Sequence, residues 1–211
     1  GGAINPESIV VKKPVQFASI DAKVISFSNS SDASSSEGVV AVLPIHDVLL
    51  KYDAFCGPMG MKSMEQILIQ WDENPDVVGI VLDIDSPGGQ ASYLPNIAET
   101  IKGLKTPIIS FYSGTCASAA YYIASQTNEI YASAETDQVG SIGTMLSFAA
   151  PHPDQKDFVL HTIYATKSTD KNKPFEDAVK GEYDLLRTSL LDPFNESFHG
   201  AVKSSRTEID D

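Results

Sequence analysis

Three segments of the chain combine residue types that could carry out nucleophilic chemistry. The first is Ser113-Gly-Thr-Cys-Ala-Ser-Ala-Ala120, in which Ser118 stands among small residues between a predicted strand and a predicted helix. A serine at a helix start lies in the positive field of the helix dipole, which stabilises charge near its side chain. Serine is also a favoured N-cap residue, and for an isolated serine that structural role is the stronger interpretation.

The other two segments are glycine-containing turns that follow predicted strands. In Asp83-Ile-Asp-Ser-Pro-Gly-Gly-Gln-Ala91, Pro87 fixes one backbone torsion, while Gly88 and Gly89 let the chain bend and expose N–H groups. Rigid amides of this kind can form an oxyanion hole. Alone, the segment fits a plain strand-to-helix turn equally well. The third segment, residues 136–143, indicates by itself only a tight turn.

The hydrophobic pattern predicts the elements that position these turns. Short apolar runs indicate buried strands, and apolar residues spaced by three or four indicate helices. Because strands and helices alternate with short connections, we expect an α/β fold with a mostly parallel sheet and flanking helices. The predicted strands cover 38–45, 77–84, 107–112 and 129–132, and the predicted helices cover 61–71, 93–104 and 117–125.

The pattern divides the chain into three parts. Residues 1–37 form an N-terminal arm, in which 9–27 is an arm or a strand pair and 28–37 is a Ser-rich linker. Residues 38–173 form the α/β core. Residues 174–211 are a largely helical C-terminal segment, which Pro193 divides into two helices. Its apolar stripe predicts contacts with another copy of the chain, and hence a homo-oligomer.

Composition excludes several partner classes. The 211 residues carry 15 basic and 28 acidic side chains, a net charge of −13, which argues against binding to nucleic acid. The two cysteines, Cys56 and Cys116, match no zinc spacing, so we predict no metal, and a single disulfide stays possible. The chain lacks an apolar run of about 18 residues, so we expect membrane association only through segments outside it. Cellular location is left open.

Taken together, the three segments resemble a known peptidase family. V-x-G-I-V-L-D-I-D-S-P-G-G, G-T-C-A-S-A-A-Y-Y-I-A and V-G-S-I-G follow one another as in protease IV, or signal peptide peptidase A, including its phage-encoded relatives. The resemblance covers residues 39–171. It implies a ClpP/crotonase-like fold, no cofactor, and hydrolysis of extended or unfolded polypeptides, such as signal-peptide remnants or phage capsid proteins, by a Ser-Lys dyad.

The same resemblance implies roles for particular residues. Ser118 matches the nucleophile, and Gly88 and Gly89 match the oxyanion-hole turn, with Gly88 the favoured donor. Ala119 and Ala120 stand where the family has glycines, a change that keeps the small volume.

The general base is less directly indicated. The family places a lysine about fifty residues after the serine, and Lys171 lies 53 residues after Ser118. An ungapped match puts Thr169 at that position, so either the loop is shifted by two residues or the dyad is broken. Lys167 is the second candidate and Lys173 the third, with Ser168 or Thr169 as a hydrogen-bonding partner of the amine. His152 is a competing base, because ClpP peptidases use a Ser-His-Asp triad on the same fold.

Two other functions fit the same fold. A crotonase-type acyl-CoA enzyme shares the oxyanion hole, although it needs no serine at this helix start. A catalytically inactive relative that serves in assembly would explain a broken dyad.

Overall fold

The protein contains two compact units. One comprises residues 1–142 and 200–211, and the other comprises residues 143–199. The computed structural model describes residues 9–10, 23–27, 38–148, 166 and 172–206, with the backbone alone described for the first two of these segments.

Among the described residues, seven strands form one sheet in the first unit. The pairs β1–β2 and β2–β3 are antiparallel, and all pairs from β3 onward are parallel. This confirms the predicted mostly parallel sheet, and the described residues of the segment predicted as an arm or a strand pair, 9–10 and 23–27, form paired strands. In chain order the strands are β1 (Ile9–Val10), β2 (Lys23–Phe27), β3 (Val39–His46), β4 (Val77–Ser86), β5 (Ile108–Ala117), β6 (Glu129–Ala132) and β7 (Gln138–Gly140).

Three helices of this unit each follow a strand: α1 (Met61–Asp72), α2 (Leu94–Gly103) and α3 (Ala119–Ala124). Helix α1 buries the apolar stripe that its sequence predicts, from Met61 to Trp71. Burying each such side chain stabilises the fold by roughly 1.5–3 kcal/mol. These helices pack on one another and on β4 and β5, so the core lies between them and the central strands.

Two elements differ from the prediction. Strand β5 continues five residues beyond the predicted end at Tyr112, because its last residues pair with β7, an element that glycine punctuation concealed. Helix α3 consequently begins at Ala119, two residues later than predicted. Ser118 thus lies at the junction between the extended strand and the helix.

The C-terminal segment is largely helical over residues 174–206, and an α-helix begins at Asp192 with Pro193 in its first turn, as predicted, but no break separates it from the preceding turn. Helix α4 (Lys173–Val179) ends at Gly181, which has φ of +89° and closes a Schellman motif. From α5 (Asp184–Leu186) the chain passes through a π-helical turn over Arg187–Leu191 into α6 (Asp192–Ser205) without a break. The wider turn accommodates the proline, which has no N–H to bond back along the helix.

Candidate active site

The carboxyl ends of β4, β5 and β7 bring the three sequence segments together. β4 and β5 pair through Ser86 and Cys116, and β5 and β7 pair through Ala117 and Gly140. The Gly88 turn leaves β4 at this edge, and Ser118 leaves β5 there. Parallel strands meet at a shared carboxyl edge, which is where sheets of this kind place their functional sites.

Gly88 and Ser118 are in direct contact. A Cβ added at Gly88 would lie 2.7 Å from the Ser118 Cβ, 2.8 Å from the Ala117 carbonyl oxygen and 2.8 Å from the Ala119 nitrogen. Gly88 also has φ of +97°, a conformation that other residues rarely adopt. Glycine at this position is therefore required both by its backbone conformation and by the close approach of the serine.

Ser118 has an unusual backbone conformation, with φ of 51° and ψ of −121°. These angles are close to those of the first central residue of a type II′ turn, a position dominated by glycine, asparagine and aspartate. The Ser118 N–H donates to the Gly140 carbonyl oxygen at 2.8 Å, and the Ser118 carbonyl accepts the Tyr122 N–H at 2.9 Å. The hydroxyl makes no capping bond to α3. The side chain is thus held by its backbone at a half-buried position and is not used as an N-cap.

The Gly88 turn is anchored by a buried hydroxyl. Ser86 Oγ donates to the Asp47 carbonyl oxygen at 2.5 Å and accepts the Gly88 N–H at 3.2 Å. On the other side, the Leu49 N–H donates to the Gly88 carbonyl oxygen and the Gln90 N–H donates to the Leu49 carbonyl oxygen. The N–H of the intervening Gly89 takes part in neither of these bonds, so it differs from the Gly88 N–H in being unused by the turn.

Two aspartates fix the end of β5 on its approach to Ser118. Asp85 Oδ1 accepts the Thr115 N–H at 3.0 Å, and Asp137 Oδ1 accepts the Gly114 N–H at 3.0 Å. Asp137 Oδ2 accepts bonds from the Ser133 hydroxyl and the Ala134 N–H. The bonds from Ser133, Gly114 and Ala134 hold the pKa of Asp137 below its usual value.

Burial sets the chemistry of the nearest thiol and phenols. Cys116 lies two residues before Ser118 and is fully buried, which raises the pKa of its thiol to about 12. Burial also raises the pKa of Tyr112 and of Tyr121. Only a thiolate is nucleophilic, so the raised pKa of Cys116 makes this thiol a poor nucleophile. Ser118 therefore stays the nucleophile candidate at this junction.

The far end of α3 is capped by the end of α6. Arg206, the residue after α6, donates from Nη2 to the carbonyl oxygens of Ala124 and Thr127. Its Nη1 donates to the carbonyl oxygen of Asn128. The Gln126 amide donates to the Ala201 carbonyl oxygen, and Ser205 Oγ donates to Gln126 Oε1 at 2.7 Å. A cation at the carboxyl end of a helix satisfies its free carbonyls and its dipole. These bonds position the helix that begins at the serine.

The candidate bases are placed differently. Lys171, Lys167 and His152, with Ser168 and Thr169, lie outside the described residues. Lys173 is described: it begins α4 and forms an ion pair with Asp177, with Nζ 3.0 Å from Oδ2. The geometry therefore brings Ser118, Gly88 and Gly89 together and leaves the base a prediction.

Sequence reasoning missed three supporting residues. Gly140 was assigned only to a turn, whereas its carbonyl fixes Ser118, and Ser86 and Asp137 received no role. A serine directly before Pro-Gly-Gly and an aspartate in a polar turn were the available signals, but neither residue type indicates by itself which backbone group it binds.

Comparison with known proteins agrees with this geometry. The sequence model of peptidase family S49 matches residues 101–210, more than half of the chain, and that of Clp protease matches residues 57–136. Together with the parallel sheet, these matches define a peptidase-type protein of the ClpP/crotonase-like fold class. The chain belongs to peptidase family S49, which confirms the predicted resemblance.

Individual relatives are matched only in part. The head-tail preconnector protein GP5 of Enterobacteria phage P21 is 33% identical over 134 residues, which are 60% of this chain and 26% of that protein. A signal peptide peptidase SppA of Enterococcus faecium is 38% identical over 78 residues, 36% of this chain and 22% of that protein. The chain thus spans about a quarter of these curated relatives.

Solved structures are more distant. ClpP1 from Listeria monocytogenes is 18% identical, covers 41% of this chain and 46% of its own, and has a TM-score of 0.35. A score this low adds no argument to the family match.

Proposed function

We propose that the protein is a serine endopeptidase in which Ser118 attacks the peptide carbonyl. The observation that carries this proposal is the contact between Ser118 and Gly88, which places a strained serine against a glycine turn. Membership of a peptidase family supports the reaction class. Backbone strain at a non-glycine residue is common at catalytic positions, where the surrounding structure maintains it.

For the oxyanion hole we propose the amides of Gly89 and Ala119. The Gly88 N–H, favoured by the sequence, is directed to Ser86 Oγ, whereas the Gly89 N–H is unused by the turn. Ala119 is the first residue of α3, so its N–H has no acceptor within the helix, and its nitrogen adjoins Gly88. Two rigid amides beside one hydroxyl can stabilise the oxyanion of a tetrahedral intermediate.

The reaction then requires a base that moves one proton twice. The base accepts the Ser118 hydroxyl proton as the oxygen bonds to the carbonyl carbon, and it returns that proton to the leaving amine as the C–N bond breaks. Water hydrolyses the resulting ester by the same route in reverse. We propose Lys171 as this base, with Lys167 and His152 as alternatives. A lysine needs burial or neighbouring dipoles to be neutral near pH 7.

The substrate class follows from the relatives. One is named a signal peptide peptidase and another a phage head-tail preconnector, so we propose extended polypeptides, either signal-peptide remnants or capsid proteins, as substrates. We also propose that the chain acts as a homo-oligomer through its C-terminal helical segment.

A serine-directed fluorophosphonate probe tests the proposal. We expect the probe to label wild type at Ser118, identified by mass spectrometry, and to leave the Ser118→Ala variant unlabelled. Ser113→Ala is the matched control, because Ser113 is exposed in the same strand. The Ser118→Ala variant should also fail to cleave an unfolded protein that wild type cleaves.

The base is tested in the same assay. Lys171→Ala should abolish labelling and cleavage, whereas Lys173→Ala, two residues away, should retain both. Full activity of Lys171→Ala would move the base to Lys167 or His152. A wild-type protein that is folded but neither labelled nor able to cleave would refute the peptidase proposal and favour an inactive assembly protein.

A further inference from the structure

Two lysines and two tyrosines form a basic–aromatic cluster in the first unit. Lys51 Nζ lies 5.3 Å from the centre of the Tyr52 ring and 5.7 Å from that of Tyr93. Lys62 Nζ lies 5.5 Å and 5.6 Å from the same two rings. Both ammonium groups are therefore within cation–π range of both rings, and the four side chains form one group.

The basic–aromatic cluster is tied to the Gly88 turn by main-chain bonds. Leu49 forms a parallel bridge with Gly89, and two residues later the Lys51 N–H donates to Gln90 Oε1 at 2.8 Å. Gly88, in turn, touches Ser118. The cluster thus lies on the segment that runs beside the proposed oxyanion hole.

The carboxylates nearest in sequence bind neutral donors and not these lysines. Asp53 accepts the Gly60 N–H at 2.7 Å and the Ser63 hydroxyl at 2.9 Å. Glu65 accepts the Tyr93 hydroxyl at 2.5 Å and the Thr100 hydroxyl at 2.7 Å. Within the part of the chain that the structure describes, neither lysine has a carboxylate within 4.0 Å.

The cluster is consequently a local positive site on a strongly acidic protein. With a net charge of −13, most of the surface repels anions, so two adjacent ammonium groups without an acidic partner are a point where an anion is attracted. The bond to Glu65 fixes the Tyr93 ring, which supplies an apolar wall beside the charges. This combination suits a carboxylate carried on an aliphatic stem.

We propose that the basic–aromatic cluster is a substrate subsite that binds a carboxylate of the peptide being cleaved. The inference rests on the proposed peptidase function. Because the cluster lies beside the Gly88 turn and not at Ser118 itself, and an extended chain advances about 3.3–3.6 Å per residue, the carboxylate would lie some residues away from the scissile bond. Its source is an acidic side chain or the free carboxyl terminus of the peptide, which share the same chemistry.

Peptide binding to the Ser118→Ala variant tests this subsite without requiring hydrolysis. Fluorescent peptides of one neutral sequence would carry a single Glu, which is moved one position at a time. A peptide with Gln at the same position is the reference for each. The neutral peptide is also made with a free and with an amidated carboxyl terminus. At one position, or at the free terminus, we expect roughly two- to fivefold tighter binding, as for partly exposed ion pairs. The preference should shrink when salt is raised from about 0.05 to 0.5 M.

Two variants show whether the cluster is responsible. In the Ser118→Ala background, Lys51→Gln with Lys62→Gln should remove the preference and leave the affinity for the neutral peptide unchanged. Lys102→Gln with Lys105→Gln is the matched control. It removes the same charge near the end of α2, just before the amino end of β5, whereas the cluster follows the carboxyl end of β3. A preference that survives loss of Lys51 and Lys62, or that falls equally in the control, would overturn the proposal.

Hydrolysis by the otherwise wild-type protein separates this inference from the proposed function. Cleavage of the neutral peptide, with no preference for a carboxylate at any position, would overturn the subsite and leave the peptidase standing. A lysine-dependent preference in binding, with no cleavage, would show that the cluster binds a peptide carboxylate but would refute both the peptidase and the role of the cluster as a substrate subsite. Absence of both binding and cleavage would refute both.

Discussion

Substituting Gly88 by alanine tests the geometry on which the candidate site depends. The new Cβ would lie 2.7–2.8 Å from Ser118 Cβ, the Ala117 carbonyl oxygen and the Ala119 nitrogen. Contacts below 3 Å cannot persist, and two of these atoms belong to the backbone, so no flexible side chain can move aside. Either the turn or the serine must shift.

The expected cost has two parts. Placing an L-residue at φ of +97° costs about 1–2 kcal/mol, and overpacking a closely packed position costs about 1–3 kcal/mol. We therefore expect Gly88→Ala to lower the free energy of unfolding by roughly 2–5 kcal/mol. Misplacing a reacting group by about 1 Å costs about a hundredfold in rate, so a shift of half that size should slow labelling of Ser118 at least about tenfold.

Denaturant unfolding and the rate of fluorophosphonate labelling measure the two effects separately. Gly103→Ala is the control, because a Cβ at the end of α2 would meet nothing within 4 Å. The control should leave the labelling rate unchanged and the stability unchanged or slightly raised. If Gly88→Ala were as stable as wild type and labelled at the same rate, the close contact between the turn and the serine would be wrong.

Three further outcomes are expected. Ser86→Ala leaves the Gly88 N–H and the Asp47 carbonyl without their buried partner, so unfolding experiments should show a loss of about 1–3 kcal/mol. Iodoacetamide at pH 8 should alkylate the exposed Cys56 and spare Cys116 in the folded protein, as read by mass spectrometry. Because folding lowers the pKa of Asp137, its ionised carboxylate stabilises the fold above about pH 4, and this contribution is lost as pH falls further. The Tm of Asp137→Asn should therefore fall less than the Tm of wild type between pH 6 and pH 3.

The elements around the site could be predicted because their signals are local. The stripe of α1 from Met61 to Trp71 determines both the helix and its buried face, whereas the continuous apolar run of β4 determines the strand but not the face that Ile80, Leu82 and Ile84 bury. Ser118 is proposed as the nucleophile because three motifs, each ambiguous alone, follow one another as in a known peptidase family. The end of β5 was missed because its last residues are extended only through pairing with Gln138–Gly140, a contact that local sequence does not encode.

The details of the site depend on tertiary contacts. Gly88 and Gly89 are adjacent glycines in the sequence, and it takes the structure to show that the Gly88 N–H is bonded to Ser86 while the Gly89 N–H is unused by the turn. The base is similar: Lys167, Lys171 and Lys173 have the same side chain within seven residues, and the sequence offers only their spacing from Ser118 to choose between them. Pro193 predicts a break before the second helix, but a π-helical turn over Arg187–Leu191 joins that helix to the preceding residues without one.

The conformation of Ser118 distinguishes a catalytic serine from a capping serine. An N-cap residue has an extended backbone and donates stability through its side chain, whereas Ser118 has φ of 51° and makes no capping bond. No capping bond therefore offsets the backbone strain at Ser118, and glycine would adopt these backbone angles more easily. We expect Ser118→Gly to be about 1–2 kcal/mol more stable than Ser118→Ala in denaturant unfolding, although both lack the nucleophile. Ser118→Gly no more stable than Ser118→Ala would show that the serine is unstrained, and the argument from strain to catalysis would fail.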